Sequence, residues 1–133
     1  MYLALIPDAE SLAALKRFAP SVLDDAHLTI IHSKSYRVMY RNAPLALPTW
    51  AGSLTLCTKS VARFGGRNKI PVLTLDLTVE LRTMREQAEG ILREAGLPWS
   101  TGWPFAPHVA LGSGLMKLTG YPATLRFDRM EWR

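Results

Sequence analysis

Apolar and polar positions along this chain change period twice, in the same order each time. Tyr2-Leu3-Ala4-Leu5-Ile6 reads as a strand, Pro7-Asp8 supplies a helix start, and Leu12, Leu15 and Phe18 recur at helical spacing until Pro20. Further on, Val72-Leu73-Thr74-Leu75-Asp76-Leu77 alternates as a strand and Thr78 caps a helix. The apolar face of that helix is Leu81, Met84, Ala88, Ile91, Leu92 and Ala95, and Gly96 and Pro98 terminate it. Each strand and helix is followed by a short apolar run headed by histidine: His27-Leu28-Thr29-Ile30 in the first half and His108-Val109-Ala110-Leu111 in the second. Strand, helix, histidine strand, repeated once, predicts two halves related by a pseudo-twofold axis. Residues 53–58 alternate as a further strand, Gly65-Gly66 marks a basic turn, and residues 36–42 read as a short helix closed by Pro44 and Pro48. The tail from 124 to 132 is strand-like, but Leu125 and Phe127 fall on one phase and Met130 and Trp132 on the other, which predicts a bulge or a strand end near Asp128.

Alternate side chains of a strand point to opposite faces, so His27 and Thr29 share one face while Leu28 and Ile30 take the other. A solvated strand face normally carries Lys, Glu or Ser. A histidine-threonine face reads instead as a cleft wall, and two such walls bring two imidazoles to one substrate. Two histidines near neutral pKa serve phosphodiester cleavage, one neutral to accept a proton from the attacking hydroxyl and one protonated to supply the leaving oxygen. The Thr29 hydroxyl is placed to hold a nonbridging phosphate oxygen. His32 stands an odd number of residues from His27 and is expected to face away from the cleft, as a surface or packing residue.

Charge sharpens this picture. The chain of 133 residues carries a net charge of +5, and no acidic residue falls between Asp25 and Asp76, an interval that holds Lys34, Arg37, Arg41, Lys59, Arg63, Arg67 and Lys69. A field of one sign attracts phosphate-bearing ligands. Hydrophobic content of 48% with 20% charged residues fits a single globular domain spanning 1–133, large enough to bury a core without disulfides. The single cysteine, Cys57, the lack of a basic region before Leu3, and the absence of a membrane-length apolar run lead to the expectation of a cytoplasmic protein, in the host cytoplasm if viral. There is no Cys-x-x-Cys, His-Glu-x-x-His, Gly-x-Ser-x-Gly or phosphate-loop spacing, so neither a metal nor a cofactor is expected.

Two tetrads of the form H-x-T-x and H-x-[T/S]-x, in this order and each preceded by strand and helix, resemble the signature of the two-histidine (2H) phosphoesterase superfamily. That superfamily includes the 2′-5′ RNA ligase and 2′,3′-cyclic phosphodiesterase group and compact phage enzymes that destroy cyclic oligonucleotide signals. The resemblance spans the opening strand and helix, His27-Leu28-Thr29-Ile30, the Phe64-Gly65-Gly66 turn, the second helix and Pro107-His108-Val109-Ala110-Leu111. It implies that His27 and His108 are the catalytic pair and that Thr29 binds the scissile phosphate. Ala110 departs from the pattern, since it stands where the second hydroxyl belongs. Ser113 is the nearest replacement, although it faces the wrong way in an undisturbed strand unless Gly112 and Gly114 relax the backbone.

The expected fold is α+β and bilobal with a pseudo-twofold axis, antiparallel sheets lining a central cleft and helices outside. The expected activity is metal-independent cleavage of a nucleotide or RNA phosphodiester: a 2′,3′-cyclic phosphate, a 2′-5′ linkage or a cyclic oligonucleotide. The competing reading is a nucleotide- or RNA-binding module that lost turnover with the hydroxyl at Ala110. Beside the catalytic trio, Tyr36, Trp103 and Phe105 are candidates for packing on the nucleotide, Tyr2 for the cleft floor if its face matches that of His27, and Lys34, Arg67, Ala110 and Ser113 for the phosphate side of the cleft. No membrane and no obligate protein partner are expected.

Overall fold

The order of elements follows the predicted one. The computed structural model describes residues 1–34, 45–67, 69–101, 104–114 and 117–133. Within them lie β1 (Tyr2–Pro7), α1 (Ala9–Phe18), β2 (Leu28–His32), β3 (Leu54–Phe64), β4 (Ile70–Leu75), α2 (Val79–Glu94), β5 (His108–Ala110) and β6 (Thr124–Trp132). The short helix expected at 36–42 lies outside the described residues. Local chemistry sets the helix ends: the Asp8 carboxylate accepts from the Ser11 amide at 2.8 Å, and the Thr78 hydroxyl accepts from the Leu81 amide at 3.2 Å. At the end of α2, Gly96 adopts φ +71°, and the amides of Gly96 and Leu97 reach back to the carbonyls of Arg93 and Leu92. This double reach is the glycine-dependent helix stop that Gly96 predicted.

The class is α+β, as expected, but the strands do not divide into separate sheets. All six pair antiparallel in one closed ring, β1-β2-β5-β4-β3-β6, with β6 returning to β1. The two halves survive inside that ring as a residue-by-residue correspondence. β1-α1-β2 and β4-α2-β5 have the same connectivity, Ala4 pairs Thr29 as Val72 pairs Ala110, and Leu5 pairs Leu28 as Leu73 pairs Val109. A bulge recurs at the corresponding place in each half: Asp128 is the extra residue between the Ile6–Arg129 and Pro7–Phe127 pairs, and Lys59 is the extra residue between Thr74–Ser60 and Leu75–Thr58. Just past these bulges the Asp8 amide donates to the Arg126 carbonyl at 2.8 Å and the Asp76 amide to the Cys57 carbonyl at 2.9 Å. Sequence phase pointed to a bulge or a strand end near Asp128, and the pairing with β1 shows a bulge; its counterpart at Lys59 was hidden because the residues around it alternate less cleanly.

A third irregularity changes one expectation. Leu3 pairs Ile31 and Ala4 pairs Thr29, so Ile30 is an extra residue in β2, and both Ile30 and Ile31 are buried. The phase of β2 therefore reverses after Thr29. His32, opposite Tyr2, returns to the face of Thr29 instead of facing away from it, although it is exposed. Odd spacing from His27 misplaced its face because the count assumed an unbroken strand, but the surface position expected of His32 holds, since it is exposed and is not among the residues that line a cavity with His27.

One continuous core unites the ring with the helices. Leu28, Ile30, Leu73, Leu75 and Val109 from the strands and Leu81, Met84, Ala88 and Leu92 from α2 belong to it, together with Leu15 and Phe18 of α1. Burying these apolar faces fixes which strand faces remain for the cleft. Among the described residues no helix is long and apolar enough to cross a membrane.

Candidate active site

The site grows out of the seam between β2 and β5. Leu28 stands opposite Val109, both fully buried, and their anchoring side chains pin the two tetrads back to back. Extending that antiparallel register by one residue puts Thr29 across from His108 and His27 across from Ala110, at the lateral spacing where facing side chains meet. His27 and His108 are half-buried, and both line one open cavity of about 1200 Å³ together with Thr29, Ala110 and Ser113. The convergence inferred from two short sequence motifs is thus a geometric fact of the fold.

Each imidazole is held the same way. His27 Nδ1 lies 2.9 Å from the carbonyl oxygen of Asp25, and His108 Nδ1 lies 2.7 Å from that of Ala106, two residues upstream in both cases. A carbonyl can only accept, so Nδ1 carries the proton in each bond. The tautomer this selects leaves Nε2 as the atom available to a ligand, whether as a base when the ring is neutral or as a donor when it is charged. Ring contacts complete the support: Tyr2 stacks on His27 with centroids 4.8 Å apart, and Phe64 meets His108 edge-on at 4.8 Å. The Asp25 carbonyl also accepts from Arg133 Nη1 at 3.2 Å, so the first histidine's support is tied to the last residue of the chain.

The wall beyond Ala110 is built differently from its counterpart beyond Thr29. β5 stops at Ala110, and Gly112 takes φ +80°. A Cβ on Gly112 would sit 2.2 Å from the Ser21 carbonyl oxygen, and one on Gly114 would sit 2.7 Å from Ser21 Oγ. Glycine at both places lets the turn close onto Ser21, whose hydroxyl donates to the Leu111 carbonyl at 3.0 Å and accepts from the Gly114 amide at 3.0 Å. The resulting turn carries exposed Ser113 on the cavity wall, the backbone relaxation that its odd spacing from Ala110 required.

Other expected ligand contacts fall elsewhere. Phe105 is half-buried against the core beneath the Arg85 guanidinium, 5.3 Å from its ring centroid, and does not line the cavity; packing rather than ligand accounts for it. Lys34 follows the end of β2 and Arg67 lies in the turn between β3 and β4, both exposed and neither among the cavity-lining residues. Tyr2 enters through the His27 stack rather than as cavity wall. Tyr36 and Trp103 lie outside the described residues. Among the described residues, the cations that do line the cavity are Arg63 and Lys69, on either side of Arg67 in the β3–β4 hairpin. The basic interval had marked the right hairpin, but sequence could not show that the two residues beside the turn face inward. Ser21 was missed altogether; the closely spaced Gly112 and Gly114 were the one signal that something must approach the backbone there.

No family model matches this chain, and no curated protein matches it.

Proposed function

We propose that this protein is a metal-independent phosphodiesterase of the two-histidine type, acting on a nucleotide or RNA phosphodiester, with a pseudo-twofold 2H phosphoesterase-like architecture. The observation that carries the reading is the pair of equivalent imidazoles, each with Nδ1 tied to the carbonyl two residues before it and Nε2 left for chemistry. One neutral histidine accepts the proton of the attacking hydroxyl at Nε2. The other, protonated, delivers a proton from Nε2 to the leaving oxygen, and its Nδ1 bond persists in both charge states, so neither ring need turn during the reaction. Thr29, opposite His108, donates its hydroxyl to a nonbridging oxygen. At the corresponding position Ala110 offers no donor, and Ser113 on the adjoining turn is the hydroxyl nearest in sequence to take that part. Because both proton transfers are assigned to side chains, the scheme needs no metal ion.

The test is turnover of 2′,3′-cyclic nucleotides, 2′-5′-linked oligonucleotides and cyclic di- and trinucleotides in the presence of chelator, with wild type beside His27→Ala and His108→Ala. Cleavage that persists in chelator and vanishes in both variants supports the reading. Binding of a panel member without turnover would instead favour a nucleotide-binding module, the alternative that exposed Ala110 on the cavity wall keeps in play.

A further inference from the structure

The two halves of the ring correspond residue by residue, yet one end of the cavity has no equivalent at the other. Arg63 pairs Pro71 as Trp132 pairs Leu3, so Arg63 occupies the place that Trp132 holds in the other half. Lys69, immediately before β4, corresponds to buried Met1 before β1. Both cations line the cavity, and both are exposed. Neither takes part in any of the ion pairs among the described residues, which join Lys16, Arg85, Arg126, Arg129 and Arg133 to carboxylates elsewhere. Among the described residues, Asp25 is the one carboxylate residue on the cavity wall. Two unneutralised cations on one wall are therefore, among the described residues, a feature of one half alone.

Their position along the strand tells what they are for. β4 runs past β5 with Thr74 opposite His108 and Val72 opposite Ala110, and Lys69 lies three residues beyond Val72. At about 3.3 Å per residue its Cα is offset by roughly 10 Å along the strand from the Val72–Ala110 pair and further still from Thr74–His108. The cavity, at about 1200 Å³, exceeds the roughly 300–1,000 Å³ typical of a small-ligand site, so it has room for more than one nucleotide unit. We infer that Arg63 and Lys69 bind a second, non-scissile phosphate, so that the preferred substrate is a nucleotide or oligonucleotide carrying at least one phosphate besides the one that is cleaved. Arg63 supplies a forked donor to that group and Lys69 a point charge. This substrate assignment rests on the phosphodiesterase reading, whereas the phosphate site itself is testable without turnover.

The probes are three 2′-5′-linked diadenylates: one with a 5′-phosphate, one with a terminal 3′-phosphate and one with neither. Cleavage rates and calorimetric Kd values are measured for wild type and for the Arg63→Gln/Lys69→Gln double variant, with a melting curve to check folding. Wild type is expected to prefer one of the phosphorylated probes by about tenfold or more at low salt. The double variant is expected to lose that preference and to reduce the slope of log K against log salt by about one to two. Equal binding of all three probes by wild type, or an equal loss on all three in the variant, would overturn the inference and return both cations to the scissile phosphate or to general attraction. A retained preference in Kd with no cleavage of any probe would leave the second-phosphate site standing and count against the phosphodiesterase reading. Cleavage without preference would do the reverse.

Discussion

The half built from β1, α1 and β2 and the half built from β4, α2 and β5 share their register, a bulge on the partner strand of each (Asp128 in β6, Lys59 in β3) and the bond that holds their histidine, but they differ in what surrounds it. In the first, His27 lies under Tyr2 and β2 runs on past Thr29 through the Ile30 bulge. In the second, His108 touches the edge of Phe64, Ala110 replaces the hydroxyl, and the strand gives way to a glycine turn pinned on Ser21. The shared features are those of backbone and core, and among the divergent ones Thr29, Ala110 and the Ser113 turn line the cavity. A duplicated frame thus presents an asymmetric surface, as an asymmetric ligand requires.

If the two histidines carry complementary proton transfers, removing either removes a whole step. His27→Ala and His108→Ala are each expected to lower turnover by about 10²- to 10⁴-fold, and the double variant by little more than the worse single one. Multiplicative losses in steady-state assays would show that the two act independently, and would break the comparison at its centre. The hydroxyl asymmetry makes the next largest difference. Thr29→Ala should cost about 10²-fold in kcat, while Ala110→Thr should leave turnover unchanged or raise it by up to that factor, depending on how well the Gly112 turn already serves the same oxygen. A Thr29→Ala/Ala110→Thr exchange that restores activity would show the two positions to be interchangeable.

Stability measurements sharpen the remaining contrasts. Gly112→Ala places a methyl group against the Ser21 carbonyl at a positive φ and is expected to cost at least about 2 kcal/mol in urea unfolding, with Ser113 displaced from the cavity. The helix caps give the smallest effect and the clearest signature. Asp8→Ala and Thr78→Ala should each cost about 1 kcal/mol at neutral pH. Only the first is pH-dependent: the Ser11 amide bond, with help from Arg126, holds the Asp8 carboxyl below its ordinary range despite partial desolvation. Since the folded state then binds fewer protons than the unfolded one, the contribution of Asp8 is complete above the unfolded pKa and is lost as pH falls through the folded one. The gap in melting temperature between wild type and Asp8→Ala should therefore close in acid, while that for Thr78→Ala should not.

Much of this molecule was legible from its sequence wherever one side chain dictates one local outcome. Asp8, Thr78 and Gly96 declared the helix ends, and the phase shift after Phe127 declared an irregularity at Asp128, a bulge or a strand end, that the structure shows to be a bulge. The two tetrads declared the histidine faces because alternation along a strand is a local rule. What was hidden depends on contacts distant in sequence. Closure of six strands into one ring follows from the pairing of β3 with β6, which no local pattern encodes. Phe105 was misread because an aromatic ring beside a histidine motif looks the same on paper whether it packs under Arg85 or faces a ligand. Arg63 and Lys69 were passed over in favour of Arg67 because the direction of a long side chain beside a hairpin turn depends on the register of that hairpin.

The ring is closed through its shortest join at the place where it is proposed to work. β2 meets β5 through the single pair Leu28–Val109, whereas β3 and β4 run together from Thr58 and Leu75 to Phe64 and Ile70. Parting this line sacrifices the fewest ladder bonds, so opening of the barrel is expected to begin along it. A ligand that touches both histidines straddles the same line and staples it shut. Amide exchange at Leu28 and Val109 should slow on ligand binding more than anywhere else in the sheet, making the join a reporter of occupancy as well as its foundation.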